Sequence, residues 1–60
     1  MPTTGEHLTF TRSGLRYLVC SVTPYDTILR SDDGLISVVW TRDVVNAIQD
    51  GRIALDTRQP

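Results

Sequence analysis

The spacing of hydrophobic and polar residues predicts two β-hairpins, then a short helix and a final strand. In the first hairpin Leu8 and Phe10 alternate with threonines, which is the period-two pattern of a half-buried strand. A two-residue turn at Ser13-Gly14 then places Phe10 opposite Tyr17 and Leu8 opposite Val19. Those four side chains would lie on one face of the hairpin.

The second hairpin allows two registers. A two-residue loop at Asp33-Gly34 pairs Leu29 with Val38, and a three-residue loop at 32–34 with a Gly bulge pairs Ile28 with Val38. A shift of one residue moves every side chain of a strand to the opposite face of the sheet. We favour the two-residue loop because it places four apolar residues on one continuous core face: Leu29, Ile36, Val38 and Trp40.

A helix is predicted from Thr41 to the residues before Gly51. Thr41 is a suitable N-cap, and Trp40 with Val45 matches the hydrophobic staple, so Trp40 is expected in the core. Gly51 suits the left-handed residue that follows a helix. The helix has one apolar stripe, formed by Val44, Val45, Ala47 and Ile48. A short strand, Ile53–Leu55, follows it.

These elements predict an α+β fold. The order is β-β-β-β-α-β, with a small antiparallel sheet of four to five strands and one short helix packed on one face. Residues 1–60 form a single small domain, with residues 1–6 and 56–60 as frayed tails.

Length and composition narrow the class of protein. A chain of 60 residues with 40% hydrophobic and 22% charged residues suits a globular domain, although one with a thin core. Cys20 is the single cysteine, which excludes an internal disulfide and leaves a homodimer as one route to stability. No apolar run approaches the ~20 residues that cross a bilayer. We therefore expect a cytoplasmic protein with no membrane partner.

The candidates for catalysis and metal binding are few. The first-hairpin register puts His7 opposite Cys20, so a cysteine-dependent activity at Cys20 is one hypothesis. One His and one Cys do not reach the ligand count of a zinc site, and the four glycines are dispersed rather than gathered in a phosphate-binding loop. The sequence therefore favours a protein that is not an enzyme and has no cofactor.

Binding of another macromolecule is the function that the sequence favours. We expect a small accessory protein of bacterial or phage origin that regulates or inhibits its partner, most simply a protein. The candidate surface comprises Arg16, Leu18 and Cys20, on the mixed polar and apolar face of the first hairpin, and Tyr25, in the turn that follows Pro24.

The alternative is an RNA- or DNA-binding regulator, since arginine suits phosphate contacts. Seven acidic residues against six arginines give a net charge of −1, which does not attract nucleic acid overall. The candidate contacts for this alternative are Arg12, Arg16, Arg52 and Arg58.

Overall fold

The protein folds as one antiparallel sheet with a single helix packed against it. A computed structural model describes residues 2–56. Its elements are β1 (His7–Phe10), β2 (Arg16–Val22), β3 (Asp26–Ser31), β4 (Ile36–Trp40), α1 (Thr41–Gln49) and β5 (Ile53–Asp56). The strand order across the sheet is β4-β3-β2-β1-β5. The predicted α+β fold, with its element order, is confirmed.

The core lies between α1 and one face of the sheet. Within residues 2–56, strands β1, β2, β3 and β5 and the apolar stripe of α1 supply its buried hydrophobic residues: Leu8, Val19, Leu29, Val44, Ala47 and Ile53. Phe10 and Tyr17 pack at its margin with their ring centroids 5.3 Å apart, edge to face. A nine-residue helix is not stable alone in water, so this contact with the sheet is what holds α1 in place.

The first hairpin has a longer loop than predicted. Phe10 N–H donates to the carbonyl oxygen of Leu15 (2.8 Å), and Gly14, with φ of +75°, closes the loop. Residues 11–14 therefore form the loop, and Leu8 pairs with Tyr17. The predicted two-residue turn is wrong, because Gly14 serves as the left-handed residue of a four-residue connection. The register shifts by two residues, an even number, so the predicted core face is retained.

Strand β2 contains a β-bulge at Cys20. Val19 pairs with Leu29 and Ser21 pairs with Ile28, so Cys20 is the extra residue between two regular pairs. A bulge changes the alternation of a strand by one position. As a result Val19 and Val22 both contact the core although they are three residues apart.

The second hairpin adopts the three-residue loop. Ser31 N–H donates to the carbonyl oxygen of Leu35 (2.9 Å), Gly34 has φ of +90°, and Ile28 pairs with Val38. The favoured two-residue loop is therefore wrong. The Ser31 side chain accounts for the difference, because its hydroxyl accepts the Leu35 N–H (3.1 Å) and donates to the Asp33 carboxylate inside the loop.

The start of α1 also differs from the prediction. Trp40, not Thr41, is the N-cap residue; its side chain is 65% exposed, so the predicted staple and core position are wrong. Thr41 is the first helical residue and is buried. The Thr41 hydroxyl donates to the carbonyl oxygen of Thr23 (2.8 Å). Because its one proton is used there, it accepts in its second hydrogen bond, and the Thr27 hydroxyl donates to it (2.8 Å).

The end of α1 follows the prediction. Gly51 has φ of +86°, and its N–H donates to the carbonyl oxygen of Ile48 (3.3 Å). Arg52 N–H donates to the carbonyl oxygen of Ala47 (2.9 Å), which completes a Schellman motif. This motif turns the chain directly into β5.

The sequence predicts frayed tails at residues 1–6 and 56–60. Gly5 N–H donates to the carbonyl oxygen of Val19, and Val19 N–H donates to that of Glu6, both at 2.9 Å, so pairing with β2 extends beyond β1. Pro2 is buried. At the other end Asp56 is the last residue of β5, and residues 57–60 lie outside the described residues.

Candidate binding surface

The face of the sheet opposite α1 is open, and β4 places three large apolar side chains on it. Ile36 is 58% exposed, Val38 64% and Trp40 65%. They alternate with Ser37 and Val39, which are less exposed and point toward the helix side. The three-residue loop of the second hairpin is what directs these apolar residues away from the core.

Neighbouring strands extend this apolar surface. Ile28 on β3 pairs with Val38, and Leu18 on β2 lies in the same cross-strand row as Ile36, with Arg30 between them. Ile28 and Leu18 are half-buried. We call the resulting surface the open apolar face; its residues are Leu18, Ile28, Ile36, Val38 and Trp40. Within it Ile28, Ile36, Val38 and Trp40 lie side by side, and exposed apolar residues grouped in this way indicate an interaction site.

The open apolar face ends at a free strand edge. Strand β4 is the outermost strand of the sheet, so within residues 2–56 only β3 pairs with it. Ser31 N–H bonds Leu35, and Thr41 N–H bonds the carbonyl oxygen of Tyr25 (3.0 Å), at the two ends of the pairing. Since hydrogen-bonding direction alternates along an antiparallel strand, the backbones of Ile36, Val38 and Trp40 point toward the free edge. The apolar side chains and the outward backbone groups thus belong to the same residues.

A shallow cavity of about 440 Å³ adjoins this face at the helix N-terminus. Its lining residues are Pro24, Tyr25, Trp40, Arg42 and Asp43. Tyr25 is 76% exposed, and its turn is ordered by the Thr23 hydroxyl, which accepts the N–H of Tyr25 (3.1 Å) and that of Asp26 (2.9 Å). The cavity therefore presents two aromatic side chains held on a rigid turn and a strand end.

On the open sheet face, the region between β2 and β5, away from β4, carries charged side chains. Arg16 on β2 forms an ion pair with Asp56 on β5 at 2.7 Å, reaching across β1. Near the end of α1, Arg52 pairs with Asp50 at 2.9 Å. The hydrogen bond from Arg52 lowers the pKa of Asp50, and the same bond raises the pKa of Arg52. Both arginines therefore have an acidic partner within the chain.

The predicted surface residues are divided among three places. Arg16 and Leu18 lie on the open face of β2, and Leu18 belongs to the open apolar face. Cys20 is half-buried in the bulge, with its Sγ 3.8 Å from the carbonyl oxygen of Leu18. Tyr25 lies in the turn beside the cavity. Of the predicted nucleic-acid contacts, Arg12 lies in the first loop, and Arg58 lies outside the described residues.

Sequence reasoning missed four members of this surface: Ile28, Ile36, Val38 and Trp40. They were missed because the favoured register placed the three β4 residues in the core. The available signal was Ser31, whose side chain can close a three-residue loop.

The predicted pairing of His7 with Cys20 is wrong. His7 pairs with Leu18 on one side and Asp56 on the other, and the shifted first-hairpin register is the reason. Within residues 2–56 no three His, Cys, Asp or Glu side chains gather as metal ligands. No helix in that range is long and apolar enough to span a membrane.

The fold and the surface together define a small α+β protein with a one-sided core and an apolar edge strand. Comparison of the chain with protein-family models, curated proteins and solved structures gave no match. The functional argument therefore rests on the surface alone.

Proposed function

We propose that this is a non-enzymatic accessory protein that binds another protein through the open apolar face and regulates or inhibits it. In this proposal it acts in the cytoplasm and is of bacterial or phage origin. The observation that supports it best is the row of Ile36, Val38 and Trp40, each more than half exposed on an edge strand. Such an edge is ordinarily protected by charge, Pro or a covering segment, so its exposure favours a role in binding.

The chemistry of the surface suits a protein partner. Trp is the residue most enriched among those that dominate binding energy at protein interfaces, and apolar neighbours that exclude water strengthen its contribution. Trp40 is flanked by Val38 on its own strand and by Tyr25 across the cavity. The core on the other face does not need these side chains, so they remain available for binding.

Site-specific photo-crosslinking tests this function. A photo-reactive amino acid replaces Val38 on the open apolar face, and the matched control replaces Asn46, an exposed residue of α1. In the native host we expect a defined protein other than this chain itself to be crosslinked from position 38 and not from position 46. Trp40→Ala in the position-38 protein should reduce the yield at least about tenfold, the effect of losing a hot-spot contact of about 1.4 kcal/mol or more.

Equal crosslinking from both positions, or none from position 38 in a folded protein, refutes the proposed surface.

The alternative, an RNA- or DNA-binding regulator, has less support. Arg16 and Arg52 are each paired with an acidic residue, which reduces their attraction for phosphate. Binding through phosphates weakens steeply with salt. Oligonucleotide binding at low salt that falls as salt rises would favour this alternative, and absence of binding at low salt would remove it.

A further inference from the structure

We propose that a second copy of this chain completes the binding surface. The two β4 strands pair antiparallel about a two-fold axis at Val38, which joins two five-stranded sheets into one continuous sheet. Binding of a partner protein to the joined surface rests on the proposed function.

The outward backbone groups of β4 match this pairing. Val38 N–H and C=O point to the free edge, so Val38 exchanges two hydrogen bonds with its counterpart across the axis. The N–H of Trp40 donates to the carbonyl oxygen of Ile36 in the second copy, and the reciprocal bond follows by symmetry. Trp40 has extended backbone angles, φ −68° and ψ 132°, so it can pair as part of a strand although it precedes α1.

The side chains are self-complementary in the same register. Val38 meets Val38, and Ile36 of each copy lies beside Trp40 of the other, so the apolar rows merge without a polar interruption. Aromatic and β-branched residues are favourable cross-strand neighbours. A slip of two residues would place either Trp40 opposite Gly34 or Ile36 opposite Arg42 of the second copy, so an apolar pair is lost in both directions.

Charges at the ends of β4 also match. In the antiparallel arrangement the loop at 32–34 lies beside the first turn of α1 in the second copy. The loop carries Asp32 and Asp33, and the hydrogen bond from the Ser31 hydroxyl lowers the pKa of Asp33, so it stays ionised. The helix N-terminus is the positive end of the helix dipole, and the exposed Arg42 and Asp43 beside it balance each other. The acidic loop of each copy therefore lies beside the positive helix end of the other copy, so the favourable contact occurs twice.

The other edge of the sheet lacks these features. Strand β5 ends at Asp56, whose carboxylate is paired with Arg16 on the open face. Charge on an edge strand opposes pairing with another sheet. Strand β4 is therefore the edge that accepts a second copy.

Edge pairing leaves the open faces of both copies accessible. The joined surface carries Ile36, Val38 and Trp40 from each copy in one central strip, so each copy supplies half of the site. A five-residue edge contact is smaller than a standard stable interface, so we expect a monomer–dimer equilibrium.

Two measurements on the unmodified protein test the dimer. Analytical ultracentrifugation from about 1 µM to about 1 mM, the range of weak interfaces, should show the mass doubling. Over the same range, amide hydrogen exchange at Val38 should slow several-fold, whereas the exposed loop amide of Arg12 should not change. A constant monomer mass with unchanged exchange at Val38 overturns the proposal.

Disulfide trapping in a Cys20→Ser background tests the register. A hydrogen-bonded pair across the axis has Cα atoms about 5.5 Å apart, within disulfide range, so Val38→Cys should crosslink to itself under mild oxidation. Ile36→Cys alone should not, because the two positions 36 are offset by four residues along the strands, about 13 Å. Mixed Ile36→Cys and Trp40→Cys proteins should crosslink to each other. Self-crosslinking at position 36 as fast as at position 38 overturns the register.

The outcomes separate this inference from the proposed function. A foreign protein crosslinked from position 38, with a protein that stays monomeric at every concentration, overturns the second copy and supports the proposed function. A dimer with the expected disulfides and no foreign protein crosslinked supports the second copy and refutes the proposed function.

Discussion

Truncation of two large side chains on adjacent strands separates the observed register from the one favoured by the pattern. The favoured register places Leu29 and Trp40 on the same core face. In the structure Leu29 is 1% exposed, whereas Trp40 is 65% exposed. The two substitutions to alanine should therefore differ sharply in their cost to stability.

The magnitudes follow from burial. Leu29→Ala removes a fully buried side chain among buried neighbours, and the lost transfer free energy and the cavity together cost about 2–5 kcal/mol. Trp40→Ala would cost about 3–5 kcal/mol if the ring were buried, but with a third of its surface covered we expect about 1–1.5 kcal/mol. A domain of this size has a total stability of about 3–9 kcal/mol, so Leu29→Ala should leave a protein close to unfolding.

Urea unfolding followed by far-UV circular dichroism measures both free energies of unfolding. Circular dichroism is the suitable probe because Trp40, the single tryptophan, is removed in one variant. The measurement belongs at a protein concentration low enough to keep the monomer, so that self-association does not add to stability. A loss for Trp40→Ala as large as that for Leu29→Ala would refute the observed register and the exposure of the open apolar face.

Three further predictions concern the supports of α1. Thr41→Val removes the acceptor of the Thr27 hydroxyl and should lower the free energy of unfolding in urea by about 1–3 kcal/mol. The double variant Thr27→Val/Thr41→Val should lose less than the sum of the two single losses, and strict additivity would contradict the shared hydrogen bond. Gly51→Ala places a side chain at φ of +86° and should cost about 1 kcal/mol by the same measurement, whereas an unchanged midpoint would contradict this. Arg52→Gln should raise the pKa of Asp50 toward its ordinary value in a carboxyl NMR titration, and an unshifted pKa would contradict the pairing. Because the folded-state pKa of Asp50 lies below its unfolded-state pKa, the pair stabilises the fold above about pH 4, and this contribution disappears as pH falls through the folded-state pKa.

Much of the fold follows from local patterns in the sequence. The alternation around Leu8 and Phe10 predicts a strand, and the apolar stripe of residues 44–48 predicts the helix. Gly51 ends that helix as expected, with the left-handed backbone that glycine adopts at low cost. These signals depend on residues close together in the chain, so they are readable without the tertiary structure.

The candidate site was less predictable. Leu18 and Tyr25 were identified, Leu18 because it lies on the mixed face of the first hairpin and Tyr25 because it follows Pro24 in a turn. The rest of the open apolar face depends on the loop at 32–34. The sequence is compatible with a loop of two or of three residues there, and the contacts of the Ser31 side chain favour the longer one.

The sequence alone therefore establishes which segments are strands and which is the helix, because periodicity and turn residues are local. Tertiary structure sets the pairing of those strands: the four-residue first loop, the bulge at Cys20 and the exposure of Trp40. The physical reason is that the apolar residues of a single strand can lie on either face of a sheet. The face that becomes core is settled by the loop register and by where α1 packs, which are interactions between distant parts of the chain.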